Sequence, residues 1–287
     1  MSFFQALITH PFLQYALLAG LAASVSAGVV GTYVVARRIA YLAGSISHFV
    51  LGGMGAARYV QVVHGVSWAT PLVGAVAAAV LGAVIVSQVS LRWKHREDSV
   101  IGALWALGMA VGVLFMANTP GYSEDLMSYL FGNILMVSKN QIALLVGLDV
   151  VVVAAGVLFY HKFLSICFDE EFARLRGINT DVYYTLLLIL TSITVVVLMT
   201  VVGLILVIAL LTLPAAAASP FARKLWHMMW IGGLICGFSV VSGVWLSYEL
   251  DWPSGATIIV VATAVYALAQ GIAAIRKRVK ARGVISP

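Results

Sequence analysis

Apolar residues run along this chain in blocks of about twenty, separated by short polar stretches, and nowhere in the strict alternation of a half-buried strand. The blocks fall at 12–35, 41–63, 70–91, 99–117, 141–160, 182–200, 203–219, 226–248 and 254–275. At roughly 1.5 Å per residue, about 20 apolar residues in a helix cross the hydrocarbon core of a bilayer. Outer-membrane barrels use tilted strands of about ten alternating residues instead, which these continuous Ala/Leu/Val runs do not resemble. The pattern predicts an all-α polytopic integral membrane bundle with eight or nine transmembrane helices. Blocks 182–200 and 203–219 join so tightly around Val202-Gly203 that one of them is expected to be a half-helix. No polar stretch is long enough to insert a soluble domain, so residues 1–287 read as a single transmembrane domain with an internal loop at 161–181.

Composition agrees. The 287 residues are 62% hydrophobic and only 10% charged, with a mean hydropathy of +1.03, against about 25% charged residues in a globular domain. The two cysteines, Cys167 and Cys236, are read as small apolar fillers, with no disulfide framework. Residues 12–23, followed by Ala23-Ser-Val-Ser-Ala27, have the apolar and small-residue parts of a signal peptide, but no Lys or Arg precedes Arg37. They are expected to be a retained first span.

Charge orients the bundle. Placing Arg37, Arg38, Arg92, Lys94, Arg96, Lys162, Arg174, Arg176, Arg223, Lys224, Arg276, Lys277, Arg278, Lys280 and Arg282 on one side leaves only Arg58 and Lys139, of 17 basic residues, for the other. Cytoplasmic loops collect Lys and Arg. The N-terminus is therefore expected outside and the C-terminus in the cytoplasm, and the net charge of +6 needs no nucleic acid to explain it. On the outer side, Glu124 and Asp125 in one loop and Glu249 and Asp251 in another would concentrate cations at an entrance; a plain solvated face accounts for them equally. Glycines at small-x-x-x-small spacing, Gly108 with Gly112 and Gly233 with Gly237, and the run Gly52-Gly53-Met54-Gly55, predict helices in close contact.

Within the internal loop Asp169 suits a helix N-cap, Glu170 and Glu171 its first turn, Arg174 and Arg176 its end, and Gly177 its termination. Phe168, Phe172 and Leu175 then share one face, fit for a partner's groove or for the lipid interface. The stretch Phe168-Asp-Glu-Glu-Phe-Ala-Arg-Leu-Arg-Gly177 resembles the ATPase-contacting segment of the zinc/manganese-type ABC importer permeases. Arg37-Arg-Ile-Ala-Tyr-Leu-Ala-Gly-Ser-Ile-Ser-His48, Tyr129-Leu-Phe-Gly-Asn-Ile-Leu135, Val202–Ala216 and Asp251-Trp-Pro-Ser-Gly-Ala256 resemble that family in the same order. The resemblance implies a permease of the bacterial cytoplasmic membrane that pairs with a second copy or a paralogue. It further implies an ATP-binding cassette subunit bound through Phe168, Asp169, Glu170, Glu171, Phe172, Leu175 and Gly177, and an extracytoplasmic metal-binding protein. Zn²⁺ or Mn²⁺ would be cargo rather than a permanently bound cofactor. The chain contains no Gly-x-x-x-x-Gly-Lys-Ser/Thr phosphate loop, so ATP is expected on the partner.

Ionisable groups inside a bilayer are costly and mark candidate sites. Three sit deep within spans: His48, Asp149 and Cys236. Imidazole suits Zn²⁺ and its neighbours, carboxylate suits Mn²⁺; a histidine hydrogen-bonded to a neighbouring helix is the plainer reading of position alone. The family often carries Gly-Asp-x-x-x-His at this point, with both side chains associated with metal passage. This chain keeps His48 but has Gly44 in the acid's place, which leans the expected cargo towards zinc. Ser45 and Ser47 are expected to orient His48. Asp149 either supplies a replacement carboxylate or is a protonated acid bonded to another helix. The remaining histidines, His10, His64, His95, His161 and His227, fall near span ends or in loops. Two other readings stay open on residues alone: a proton- or sodium-coupled carrier using Asp149, and a membrane enzyme or scaffold, for which His161, Cys167 and Asp169 offer no recognised arrangement.

Overall fold

Without water to hydrogen-bond a backbone amide, each apolar block must satisfy its own N–H and C=O groups, which an α-helix does. In the computed structural model, which describes residues 3–92, 97–120, 132 and 134–283, every block is helical and no described residue lies in a strand. The helices are α1 Phe3–Thr9, α2 Pro11–Arg37, α3 Ala40–Val63, α4 Pro71–Arg92, α5 Glu97–Ala117, α6 Lys139–Leu158, α7 Tyr160–Phe168, α8 Glu170–Leu175, α9 Thr180–Val202, α10 Leu204–Ala218, α11 Leu225–Leu250 and α12 Ser254–Gly283. Eight of them, α2, α4, α5, α6, α9, α10, α11 and α12, provide stretches long and apolar enough to cross a membrane. The chain is a multi-pass helical membrane protein.

The remaining block, 41–63 in α3, has the length of a span, the helix having 24 residues, but is absent from those eight. Ser45, Ser47, His48 and four glycines dilute its apolar character, and its first half is buried by other helices from Leu42 to His48. A helix screened from lipid by protein can carry such residues.

Many hydroxyls elsewhere in the spans are satisfied within their own helix. Thr32, Ser47, Thr191, Ser192, Thr194, Ser239 and Thr257 each donate a hydroxyl to the carbonyl four residues earlier. This is the usual way a helix hides Ser and Thr from hydrocarbon.

The described residues cluster into two compact units. One comprises 1–35, 133–153 and 209–287. In it α11 packs on α12, and α2 approaches α11 so closely that a Cβ on Gly28 would stand 2.8 Å from the Cα of Gly233. Gln270 of α12 donates to the carbonyl of Ala216 in α10. The other comprises 36–132 and 154–208 and is built on α3, held between α4 and α5, with α9 against α4. Its α3–α5 contact is glycine on glycine. A Cβ on Gly52 would lie 2.9 Å from the carbonyl oxygen of Gly108, and one on Gly55 3.0 Å from that of Gly112. Small residues let backbones meet where lipid supplies no hydrophobic drive.

Helices α9 and α10 are separated by Gly203 alone, at φ 83° and ψ 162°, a conformation open essentially only to glycine. Its N–H still reaches the carbonyl of Met199, and its own carbonyl accepts from Val207. The expected break is present, yet neither piece is a half-helix: with the 3₁₀ turn that continues it, α10 reaches 18 residues at Phe221. Gly203→Ala is expected to cost about 1–3 kcal/mol, seen as a lower apparent melting temperature of the detergent-purified protein, while Gly147→Ala, with open space around its Cβ position, leaves it unchanged.

Candidate functional site

His48 sits on the ninth position of α3 and is 9% exposed. Its ring stacks on the indole of Trp105 from α5, with centroids 4.4 Å apart and planes 17° apart. Its Nδ1 is buried without a hydrogen-bond partner. A buried polar atom left unpaired costs stability and asks for a reason; a neutral imidazole nitrogen that keeps its lone pair has the chemistry of a metal ligand. The serines expected to orient the ring donate their hydroxyls elsewhere. Ser45 donates to the carbonyl of Ile101 at 2.7 Å and Ser47 to that of Ala43 at 2.7 Å. Trp105 holds the ring instead, and nothing in the sequence singled it out.

A Cβ on Gly44 would lie 3.4 Å from Cζ3 of Trp105 and 3.7 Å from Cδ1 of Ile208, ordinary contact distances. An added methyl group one turn before His48 is therefore accommodated. No group of three or more His, Cys, Asp and Glu able to hold a metal occurs among the described residues. A cavity of about 580 Å³ between α3, α4 and α5, lined by Phe49, Gly53, Trp68, Gly74 and Leu81 among others, has no ionisable lining residue and offers no metal ligand.

Asp149, midway along α6, accepts a hydrogen bond from Ser26 of α2. That is the bonded-acid arrangement; it lies in the first unit and His48 in the second. Cys236 is fully buried in α11. Glu249 and Asp251 are exposed at the C-terminal end of α11, Asp251 in a left-handed turn with φ 52°. Glu124 and Asp125, and the resembling stretch around Tyr129, lie outside the described residues, apart from Gly132, Ile134 and Leu135.

The 161–181 loop folds as two short helices. Asp169 caps α8, its carboxylate accepting from the N–H of Phe172 at 2.9 Å, and Gly177 ends it at φ 75° with its N–H on the carbonyl of Arg174. Phe168, Phe172 and Leu175 are 70%, 49% and 86% exposed, an uncovered apolar face on an otherwise polar element. Arg176 lies over the Phe172 ring at 4.6 Å, and Glu171 is exposed. Glu170 points the other way: it pairs with Arg37 at 2.5 Å and with Arg174 at 3.1 Å, and its side chain is 16% exposed. Arg37 also donates to the carbonyl of Ile166 and lies over Tyr184, which bonds to Ser90 near the end of α4. The ends of α2 and α4 and the whole 160–177 segment thus share one end of this unit. In the other unit Arg276 of α12 lies over Phe221, next to Arg223 and Lys224.

Comparison with known proteins gives concordant results. Residues 9–272 match the family model described as "ABC 3 transport family". A protein of Chlamydia trachomatis named "Probable metal transport system membrane protein" is 38% identical over 261 residues, covering 90% of this chain and 88% of the relative. The protein of Halalkalibacterium halodurans named "Manganese transport system membrane protein MntC" is 33% identical, covering 93% and 89%. The solved structure of PsaBC from Streptococcus pneumoniae in complex with Fab superposes with a TM-score of 0.81 at 27% identity, covering 93% of this chain and 94% of that one.

Cys167, in α7 on the inner side of the loop, is buried, and its thiol is pushed up to about 12 by burial, against a weaker opposing pull from Arg37. The thiolate is the reactive form, so at pH 8 only about one molecule in ten thousand carries it. A maleimide at that pH is expected to leave Cys167 of the folded protein unlabelled and to label it once the protein is denatured, as mass spectrometry would show.

Proposed function

The chain belongs to the ABC 3 transport family, and on that premise we propose that it is the permease subunit of an importer carrying a divalent transition-metal ion across the bacterial cytoplasmic membrane, driven by ATP hydrolysed on a separate subunit. The observation that carries this reading to a residue is His48: buried, deep in a helix screened from lipid, stacked on Trp105, with Nδ1 unpaired. In this reading residues 1–287 form one permease domain, paired with a second copy or a paralogue. An external binding protein delivers the ion past an acidic entrance that includes Glu249 and Asp251, with Glu124 and Asp125. His48 holds it in passing, weakly enough to let it go. The ATPase engages Phe168, Phe172 and Leu175, and its cycle reaches the pathway through residues 168–177.

The gathering of Arg37, the end of α4 and the 160–177 segment at one end supports placing that end in the cytoplasm, with the N-terminus outside. Manganese is the first candidate cargo, because MntC relatives are named for it. Zinc is the second, because an imidazole without a carboxylate at Gly44 is the softer donor. Membership of an ABC family leaves the gradient-driven carrier without support.

Metal uptake by reconstituted vesicles containing the ATPase partner tests the site. His48→Ala is expected to lower uptake of the carried metal at least about tenfold, and Gly44→Asp to raise Mn²⁺ uptake relative to Zn²⁺; transport of every tested metal at the unaltered rate by His48→Ala removes His48 from the pathway. Docking has its own measurement. The ATPase should co-purify with the native chain and be lost from Phe168→Ser/Phe172→Ser.

A further inference from the structure

We infer that Arg37 is the strut joining the ATPase-docking helix α8 to α3, the helix that carries His48, and so a positioning residue for transport. The inference rests on the docking of residues 168–177 read above. It comes from the contacts of one side chain with three elements.

Helix α8 has two sides. Phe172 and Leu175 are uncovered on one, while Glu170 on the other is drawn inward by two guanidinium groups. Its Oε2 accepts from Nη2 of Arg37 and its Oε1 from Nη2 of Arg174. Arg174 in turn binds Asp181 and Thr180 at the start of α9, at 2.8 and 2.7 Å. Arg37 divides its own fork between Glu170 and the carbonyl of Ile166, near the end of α7, and its Cζ lies 5.3 Å from the centroid of the Tyr184 ring of α9. One guanidinium therefore grips α7, α8 and α9 together. A charge-assisted, two-pronged contact of this kind resists rotation as well as separation, and side chains 23% and 16% exposed keep most water away from it.

The other end of the strut is covalent. Arg37 is the last residue of α2, and only Arg38 and Ile39 separate it from Ala40, the first of α3. That link has little slack: Arg38 holds a left-handed φ of 63° and Ile39 is buried. From Ala40 to His48 is eight residues, about 12 Å of helix. Since α3 meets α5 glycine to glycine, with Trp105 on His48, a push on the start of α3 displaces α3 and α5 as one piece. Displacement of α8 by the ATPase would thus reach His48 through a single ion pair and a two-residue turn.

The test uses the permease reconstituted with its ATP-hydrolysing partner in proteoliposomes, with Mn²⁺ as the transported probe. It reads partner retained on purification and Mn²⁺ accumulated per ATP hydrolysed. Arg37→Gln is expected to retain the partner and to lower the Mn²⁺-to-ATP ratio by about tenfold, within the usual range of coupling between sites. Glu170→Gln lowers the ratio similarly, the double variant falls no further than either single one because both break the same link, and Arg37→Lys recovers part of the ratio by keeping one charged contact. Should Arg37→Gln fail to reach the membrane, Arg37→Lys and Glu170→Gln make the same comparison. An unchanged ratio in Arg37→Gln, or losses that multiply in the double variant, overturns the strut. Retention of the partner by Phe168→Ser/Phe172→Ser overturns the docking reading itself, a result separate from the Mn²⁺-to-ATP ratio on which the strut is judged.

Discussion

Hydrocarbon has no partner to offer a polar group, and most of what this chain does follows from that. It forces the backbone into helices, turns the hydroxyls of Ser and Thr back onto carbonyls four residues away, and makes a carboxylate such as Asp149 reach for Ser26 on another helix. Against so thorough a pairing the one buried side-chain atom without a partner among the described residues, Nδ1 of His48, stands out. The constraint that builds the bundle also sets that imidazole apart, and on it the proposed role of His48 in metal passage rests.

Helices surrounded by lipid gain nothing from hiding apolar surface, so they hold together by coming close. The α3–α5 contact shows the consequence. Gly52 and Gly55 admit the backbone of α5 at Gly108 and Gly112, and the helices meet near enough for Trp105 to lie flat on His48. The indole does the orienting that Ser45 and Ser47 were expected to do, because their hydroxyls are already satisfied by carbonyls. Packing and chemistry are one arrangement here: loosen the glycine contact and the imidazole loses its wall.

At the end that gathers Arg37 and the 160–177 segment, α8 is only six residues long yet has two different sides. Its apolar side, with Phe172 and Leu175, is exposed, and its acidic side is tied into the bundle through Arg37 and Arg174. A helix that short has little stability of its own; the cap at Asp169, the turn at Gly177 and the two ion pairs keep it in place.

How much of this was legible along the chain depends on how far apart the interacting groups lie. The placing of the apolar helices, the break at Gly203, the cap and stop of α8 and the small-residue contacts could all be read, because each is a sum over neighbouring residues: a run of apolar side chains, a carboxylate three residues from an amide, a glycine where φ must be positive. The burial of α3 among other helices, the stacking of Trp105, the inward turn of Glu170 and the grip of Arg37 could not. Arg37 and Glu170 are 133 positions apart, and Ser45 and Ile101 are 56; whether such groups meet depends on the rotation and crossing of whole helices, which no local preference specifies. The sequence by itself determined that this protein is a helical bundle in a membrane with a histidine in its interior. Only the tertiary structure decided what that histidine rests on and which charge holds α8, because both are settled by helices packed against helices rather than by residues next to one another.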